Sequence, residues 1–261
     1  MKPKTLFPLF LLLLFLTACG GGMGAAPSPS PSETPVPEPS SSAPAAPVWT
    51  DQTFAKDFAA ENGTVVMSVS YVFPDIQEAE QNPNWAEIRA YYASEGEAYM
   101  ENARDLAGYA ADDYAASQTL GTDFLPFGEE SSYRFSYQTD SLVSVVRNYY
   151  ANSVTGAAHP ANFQFSEQFD LTSGEKLALG DFFSDADTAR SRILSAIADT
   201  GAPAGYTPEL LSENFNDDYF YLTDTGFVFY YQPDTIAPYA AGLLEFPVPY
   251  STLEDLMNRA L

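Results

Sequence analysis

A long segment near the start of the chain has no core-forming pattern, which limits where the folded part can lie. Residues 20–48 read GGGMGAAPSPSPSETPVPEPSSSAPAAPV, which is rich in Pro, Ser, Ala and Gly and has no apolar periodicity. Because such a segment cannot bury enough apolar surface to form a core, we expect it to be disordered or polyproline-like. The fold must therefore be made by residues 49–261, a length that suits one domain with a sizeable core.

The beginning of the chain is typical of a secretory leader. Lys2 and Lys4 precede an apolar run at residues 6–16, which is too short to span a bilayer stably. The run ends in LTAC at 16–19, which resembles the lipobox of bacterial lipoproteins. This resemblance implies cleavage after residue 18 and lipidation of the Cys19 thiol, with diacylglycerol and palmitate as the anchor. Cys19 is the single cysteine, so no disulfide within the chain is possible.

These features predict a signal peptide at residues 1–18 and a tether at residues 19–48. The mature protein is then extracytoplasmic, held to the cell membrane by its N-terminal lipid, and has no transmembrane helix. The alternative is an ordinary secreted protein in which the cysteine follows the apolar run by chance.

The chain is strongly acidic. It has 35 Asp and Glu residues and 11 Lys and Arg residues, which gives a formal net charge of −24. Cleavage of the leader would remove two lysines, so the expected mature chain has a net charge of −26. Such a charge repels nucleic acid and anionic lipid headgroups, so we expect no nucleic-acid partner. It favours a cationic partner, although solubility alone is a sufficient explanation.

Residue patterns in the folded part indicate an α+β protein. Apolar residues alternate at 65–73, which predicts a strand, and Asn82 and Pro83 then resemble the start of a helix. Helical spacing continues to residue 114, and we expect a break near Gly96. We therefore expect an antiparallel sheet, or sheets, of hairpins packed against one long helix and a few short ones. Further strands are predicted at 133–137, 142–150, 163–169, 219–222, 227–231 and, at a sheet edge, 244–248; short helices are predicted at 185–200 and 207–211.

The residues that usually carry enzyme chemistry are scarce. His159 is the only histidine, which excludes the common two-histidine zinc sites, and no Walker loop, dinucleotide-binding glycine motif or nucleophile elbow is present. We therefore expect no catalytic residues, metal or cofactor. A glycosidase-like pair of carboxylates stays open as an alternative, because acidic residues are abundant and their spacing in sequence does not fix their spacing in space.

Several motifs in the second half of the chain resemble a known extracytoplasmic domain. They are GAAHP at 156–160, FDLTSGEKLALGDFF at 169–183, LTDTGFVFY at 222–230, IAPYAAG at 236–242 and VPY at 248–250. In this order they resemble the lysozyme-sensing domain of RsiV-like anti-sigma factors. Residues 65–150 resemble the accessory domain that precedes it and is shared with the peptidoglycan deacetylase PdaC. The resemblance implies a PdaC-like region at 49–150 and an RsiV-like region at 151–261, in one compact unit or two.

The resemblance implies recognition at the cell envelope by a non-catalytic domain. We expect the ligand to be a cationic protein such as a lysozyme, or a component of the cell wall. The alternatives are a wall-acting hydrolase that uses paired carboxylates and a structural envelope scaffold. Contacts are expected on the loop at His159 and Pro160 and on the proline-containing stretch from Tyr231 through Pro238 and Tyr239. His159 is otherwise a turn residue, and residues 236–239 otherwise cover the core.

Overall fold

The computed structural model describes residues 46–153, 158–201, 204–259 and 261, and the chain forms one compact unit from Ala45 to Leu261. The leader, Cys19 and nearly all of the tether lie outside the described residues. The α+β fold predicted from the sequence is confirmed. The elements are Trp49–Ala59 (β1), Val65–Ile76 (β2), Pro83–Leu120 (α1), Phe127–Gln138 (β3), Leu142–Ala151 (β4), Ala161–Asp170 (β5), Lys176–Leu177 (β6), Ala186–Gly201 (α2), Pro208–Glu213 (α3), Phe220–Leu222 (β7), Gly226–Tyr231 (β8) and Leu244–Pro249 (β9).

The larger sheet has six strands in the order β1-β2-β3-β4-β5-β6. All neighbouring pairs are antiparallel except β2 and β3, which run parallel with Val69 opposite Glu129. This pair departs from the expectation of antiparallel hairpins alone. Its cause is α1, because a long crossover returns the chain to the same end of the sheet, which a tight turn cannot do. Strand β4 runs to Ala151 and pairs with β5, so one sheet contains residues from both predicted regions.

Helix α1 covers one face of this sheet and is continuous. Its first turn is capped by Asn82, whose side chain accepts from the Asn84 backbone N–H at 3.0 Å. The expected break near Gly96 is absent, because a helix tolerates a single glycine at modest cost. A methyl group at Gly96 would overlap the ring of Phe54 on β1, so the glycine allows close packing of the helix on the strand.

A buried ionic group lies between α1 and the sheet. Arg147 on β4 is 3% exposed and donates to Glu167 at 2.5 Å and to Glu95 at 3.0 Å. Its guanidinium also lies over the rings of Phe73 and Phe165, at 5.3 and 5.6 Å from their centroids. Burial acts to lower the pKa of Arg147, but the negative charge of Glu167 outweighs it and the pKa is raised. Arg147 thus keeps its positive charge inside the fold.

The smaller sheet has the order β7-β8-β9 and packs with α2 and α3 around a second hydrophobic core. Its edge strand β9 contains Pro247 and Pro249, as the sequence predicts. Side chains join the two sheets. Ser166 and Gln168 of β5 donate to the Phe220 carbonyl at 2.5 and 2.9 Å, and the amide of Gln232 exchanges two hydrogen bonds with the Gln164 backbone.

Candidate functional site

A cleft of about 400 Å³ opens where the ends of the two sheets meet. One side is formed by the start of β3, the end of β4 and the start of β5. The other side is formed by the connection between β8 and β9, which is the loop on which the sequence places two of its candidate contacts. Its lining residues are Glu129, Tyr149, Ala151, Asn152, Ser153, His159, Pro160, Ala161, Asn162, Phe163, Pro233, Asp234 and Tyr239.

The rim of the cleft is formed by an aromatic stack. The rings of His159 and Tyr239 are nearly parallel, with centroids 3.6 Å apart and an interplanar angle of 10°. His159 Nδ1 donates to the Pro160 carbonyl at 3.1 Å, while Nε2 lies 3.4 Å from Asp234 Oδ2. These three contacts fix the imidazole in place and leave it half-exposed to a ligand.

Asp234 reaches this position through an uncommon backbone conformation. Its φ of 64° lies in the left-handed region, at the third position of a turn that begins at Gln232 and includes Pro233. The Thr235 N–H closes the turn by donating to the Gln232 carbonyl at 3.2 Å. A glycine would occupy this position without strain, whereas a residue with a Cβ costs about 1 kcal/mol or more there. The strain places a carboxylate at the mouth of the cleft.

The base of the cleft contains a buried carboxylate. Glu129 on β3 is 3% exposed, and its two oxygens accept hydrogen bonds from the hydroxyls of Tyr71 at 2.5 Å and Ser153 at 2.7 Å. Burial and the Glu129 carboxylate raise the pKa of Tyr71, which therefore stays a phenol and a donor. Burial and the same carboxylate also raise the pKa of Tyr149, on the wall of the cleft.

This carboxylate has no cationic partner in the described part of the chain. None of the lining residues is Lys or Arg, and no described basic group lies within ion-pair distance of Glu129. Burying a charge without a counter-charge costs several kcal/mol, and the neighbouring hydroxyls of Tyr71, Ser153 and Tyr149 offset only part of this. The carboxylate at the base of the cleft therefore lacks a counter-charge among the described residues, whereas Glu167 under α1 is paired with Arg147.

Asn152, which follows the end of β4, carries a second polar group to account for. The side-chain oxygen of Asn152 is buried and has no hydrogen-bond partner among the described residues. It lies against Gly128, where a methyl group would come within 3.0 Å of it. The Asn152 backbone N–H is held by the Gly128 carbonyl at 2.9 Å. The absence of a side chain at Gly128 thus provides the space for this amide oxygen.

The structure brings three of the five predicted contact residues together in this cleft, namely His159, Pro160 and Tyr239. Pro238 is exposed next to Tyr239 and is not part of the lining. Tyr231 is 1% exposed, and its hydroxyl donates to the Leu211 carbonyl at 2.8 Å, so its side chain belongs to the core and not to the surface. Ile236 also packs into the core, so the loop both covers the core and lines the cleft.

The sequence reasoning missed Glu129. The strand predicted from residue 133 begins at Phe127, and Glu129 lies on the same face as Phe127 and Tyr133. A carboxylate in phase with the apolar residues of a strand is the signal that would have found it, because an unpaired charge is rarely placed in a core without a function. Ser153 and Asn152 follow the end of β4 and carry no comparable signal.

The described residues contain no group of three or more His, Cys, Asp and Glu side chains that could hold a metal ion. No helix among them is long and apolar enough to cross a membrane. The lining of the cleft presents two carboxylates, an imidazole, side-chain amides and aromatic walls.

The fold and the cleft define an α+β domain with an acidic surface site. Residues 180–251 match the model of the DUF3298 family, which is described as a protein of unknown function. They include Asp234 and Tyr239, whereas Glu129 and His159 precede them.

Two crystal structures of DUF3298 family members resemble the whole fold. The one from Bacteroides fragilis NCTC 9343 has a TM-score of 0.64 at 18% sequence identity, over 82% of this chain and 94% of that chain. The one from Pseudomonas aeruginosa PAO1 has a TM-score of 0.52 at 16% identity, over 81% of this chain and 95% of that chain. At these identities the likeness shows a shared fold alone. No curated protein matches the chain.

Proposed function

We propose that this protein is a non-catalytic binding protein of the bacterial cell envelope that recognises a cationic ligand through the cleft. The most concrete ligand is a basic protein of the lysozyme type, and a positively charged cell-wall component is the other. The observation that carries the proposal is the combination of Glu129 and Asp234 with aromatic walls and no basic lining residue. Such a site attracts and desolvates positive charge.

The charge of the whole chain supports the same ligand class. A mature net charge of −26 attracts a cationic protein over a Debye length of about 10 Å at moderate ionic strength. Long-range attraction raises the association rate, and the cleft then supplies the short-range contacts. Binding should therefore be fast and sensitive to salt.

The rigidity of the cleft supports a role in binding. Its walls are strand ends, and the loop that carries Tyr239 contains Pro233 and Pro238 and is fixed to the core by Ile236. A loop that is already ordered loses little conformational entropy when a ligand binds. Tyrosine and histidine also present large contact areas with few rotatable bonds.

The proposed anchor places this domain outside the cell. Cys19 and the leader lie outside the described residues, and the lipobox resemblance is their support. A tether of about 30 residues, at up to ~3 Å per residue, would let the domain reach several nanometres from the membrane. A cationic protein that approaches the envelope would then meet the acidic domain before the membrane.

The test is to measure binding of the full-length chain, purified in a non-ionic detergent, to immobilised hen lysozyme at low and moderate ionic strength. We expect rapid association that weakens steeply with salt, because both the steering and the site are electrostatic. Lysozyme with acetylated lysines is the matched control and should bind weakly. Absence of binding at low ionic strength would remove lysozyme as the ligand.

A wall-acting hydrolase is the second candidate, because Glu129 and Asp234 line the same cleft as a glycosidase pair would. Long incubation of the purified chain with peptidoglycan, followed by mass spectrometry of soluble fragments, separates the two. New reducing ends that disappear in Glu129→Gln would establish the hydrolase and overturn the non-catalytic proposal. If peptidoglycan is unchanged and the cleft binds no partner, both the hydrolase and the binding role are excluded. The remaining alternative is then a structural scaffold of the envelope.

A further inference from the structure

The hydrogen-bond acceptors at the base of the cleft are suited to one planar cation. We infer that it is a pocket for a single guanidinium group, such as the side chain of an arginine presented by a partner protein. This rests on the proposed function and makes it specific, since it names the group that enters the cleft and the atoms that receive it. The residues that define the guanidinium pocket are Glu129, Tyr149, Phe163 and Asp234.

The negative charge of Glu129 has no counter-charge nearby in the described part of the chain. Glu129 is 3% exposed yet has no basic group within ion-pair distance among the described residues. The contrast with Glu167 is informative, because Glu167 is equally buried and is paired with Arg147 at 2.5 Å. The basic residues of the described chain lie elsewhere, so the counter-charge for Glu129 has to come from outside the fold.

The number of acceptors in the cleft is a second feature. Glu129 accepts hydroxyl hydrogen bonds from Tyr71 and Ser153 and also interacts with the Tyr149 hydroxyl, whereas a carboxylate has about four acceptor sites. The exposed carboxylate of Asp234 adds further acceptors at the mouth of the same cleft. A guanidinium has five N–H donors in a fixed plane, and an ammonium has three around a point. The guanidinium therefore matches a set of several acceptors better.

The shape of the cleft is a third feature. The walls include the rings of Tyr149, Phe163 and Tyr239, and Phe163 is 41% exposed although it is a large apolar side chain. A guanidinium stacks on aromatic faces and is more weakly hydrated than an ammonium, so it loses less on entering such a site. Asp234 and His159 lie at the mouth of the cleft, where the Asp234 carboxylate can attract the incoming group.

The test uses N-acetyl-arginine amide as the probe and N-acetyl-citrulline amide as its neutral isostere, both titrated into the full-length chain in detergent. Two-dimensional NMR should show saturable shifts at Tyr149, His159 and Phe163 with the arginine probe only. Glu129→Gln should weaken the arginine probe by about tenfold or more, since it removes the buried counter-charge. Glu130→Gln is the matched control, because Glu130 is the exposed neighbour on the same strand and should have no effect.

Stability gives an independent readout. If Glu129 serves a ligand, the free Glu129→Gln protein should unfold at the same temperature as the wild type or higher, because an uncompensated buried charge has been removed. A fall in unfolding temperature with unchanged arginine binding would show a structural role and overturn the inference. Asp234→Asn at the exposed mouth serves as a second variant, and it should weaken the arginine probe while leaving the fold unchanged.

The outcomes separate this inference from the proposed function. If lysozyme binds and Glu129→Gln does not alter its affinity, the binding role stands and the guanidinium pocket is wrong. If the arginine probe binds the cleft and lysozyme does not, the pocket stands and lysozyme is excluded. Equal binding of citrulline and arginine probes, or tighter binding of N-acetyl-lysine amide, would overturn the assignment to a guanidinium.

Discussion

His159 and Tyr239 stack with their ring centroids 3.6 Å apart, although they belong to connections that lead to different sheets. His159 lies just before β5, and Tyr239 lies between β8 and β9. The stack therefore joins the two rims of the cleft, and it holds Tyr239 as part of a wall while the rest of its loop packs on the core through Ile236.

Replacing Tyr239 by alanine removes one half of this stack. We expect the unfolding free energy to fall by about 0.5–1.5 kcal/mol and lysozyme binding to weaken by about tenfold, because the rim loses its aromatic surface. Tyr239→Phe keeps the ring and should retain most of the binding. Tyr109→Ala removes a tyrosine that is 68% exposed on α1 and should change neither quantity. Wild-type affinity in Tyr239→Ala would show that the rim does not contact the ligand.

Two glycines of α1 should respond in opposite ways to alanine. A methyl group at Gly96 would overlap the Phe54 ring, which packs edge-on against Phe73, so Gly96→Ala should destabilise the protein by about 1–3 kcal/mol. A methyl group at Gly108 would meet nothing within 4 Å, so Gly108→Ala should stabilise by up to about 1 kcal/mol through helix propensity. Urea unfolding measures both, and equal changes would contradict the packing argument.

The buried pair of Arg147 and Glu167 predicts a strong double-mutant effect. Arg147→Met leaves Glu167 charged in the core and should cost about 3–5 kcal/mol in urea unfolding. Adding Glu167→Leu should recover most of that loss, because no uncompensated charge is then left inside. If the double variant were as unstable as the sum of the two single variants, the pair would not be coupled.

Alkaline pH should unfold the protein through its buried tyrosines. Burial raises the pKa of Tyr231 to about 12 from its ordinary value of 10.0, and burial also raises the pKa of Tyr92 and Tyr230. A raised folded-state pKa gives stability that is complete below pH 10 and is lost as the pH rises towards 12.

The measurement is the free energy of unfolding at several pH values above 9, with tyrosinate absorbance recorded in parallel. Tyr231→Phe should lower stability near neutral pH by about 1 kcal/mol, since the Leu211 carbonyl loses its donor. The same variant should show a shallower loss between pH 10 and 12. An unchanged slope would mean that Tyr231 does not titrate with unfolding.

Local patterns predicted most elements of the fold, because alternation and helical spacing act over a few residues. The start of α1 at Asn82 and Pro83, the strand from Phe227 to Tyr231 and the proline-containing edge β9 follow directly from such patterns. Strand β1 was missed, since its mixed sequence WTDQTFAKDFA shows no clean alternation and is stabilised by pairing with β2. The parallel pairing of β2 and β3 results from the crossover through α1, and no local sequence pattern indicates it.

Only three residues of the candidate site could be predicted from the sequence, namely His159, Pro160 and Tyr239. Turn chemistry marks these positions, but their meeting in one cleft depends on how the two sheets join through Gln232 and Gln164. Tyr231, the third expected contact on the proline-containing stretch, ends strand β8, and its side chain is buried in the core.

The lipid anchor is tested by Cys19→Ala in the native host. Without the thiol, the lipid cannot be attached, so we expect the protein to leave the membrane fraction or to accumulate with its leader uncleaved. Thr17→Ser is the control, because it keeps a small residue before the cysteine and should leave processing intact. Mass spectrometry of the wild-type amino terminus should show a diacylglyceryl-modified Cys19 as the first residue. An unmodified mature terminus, or equal membrane retention of the alanine variant, would show that the protein is held at the envelope by other means or not at all.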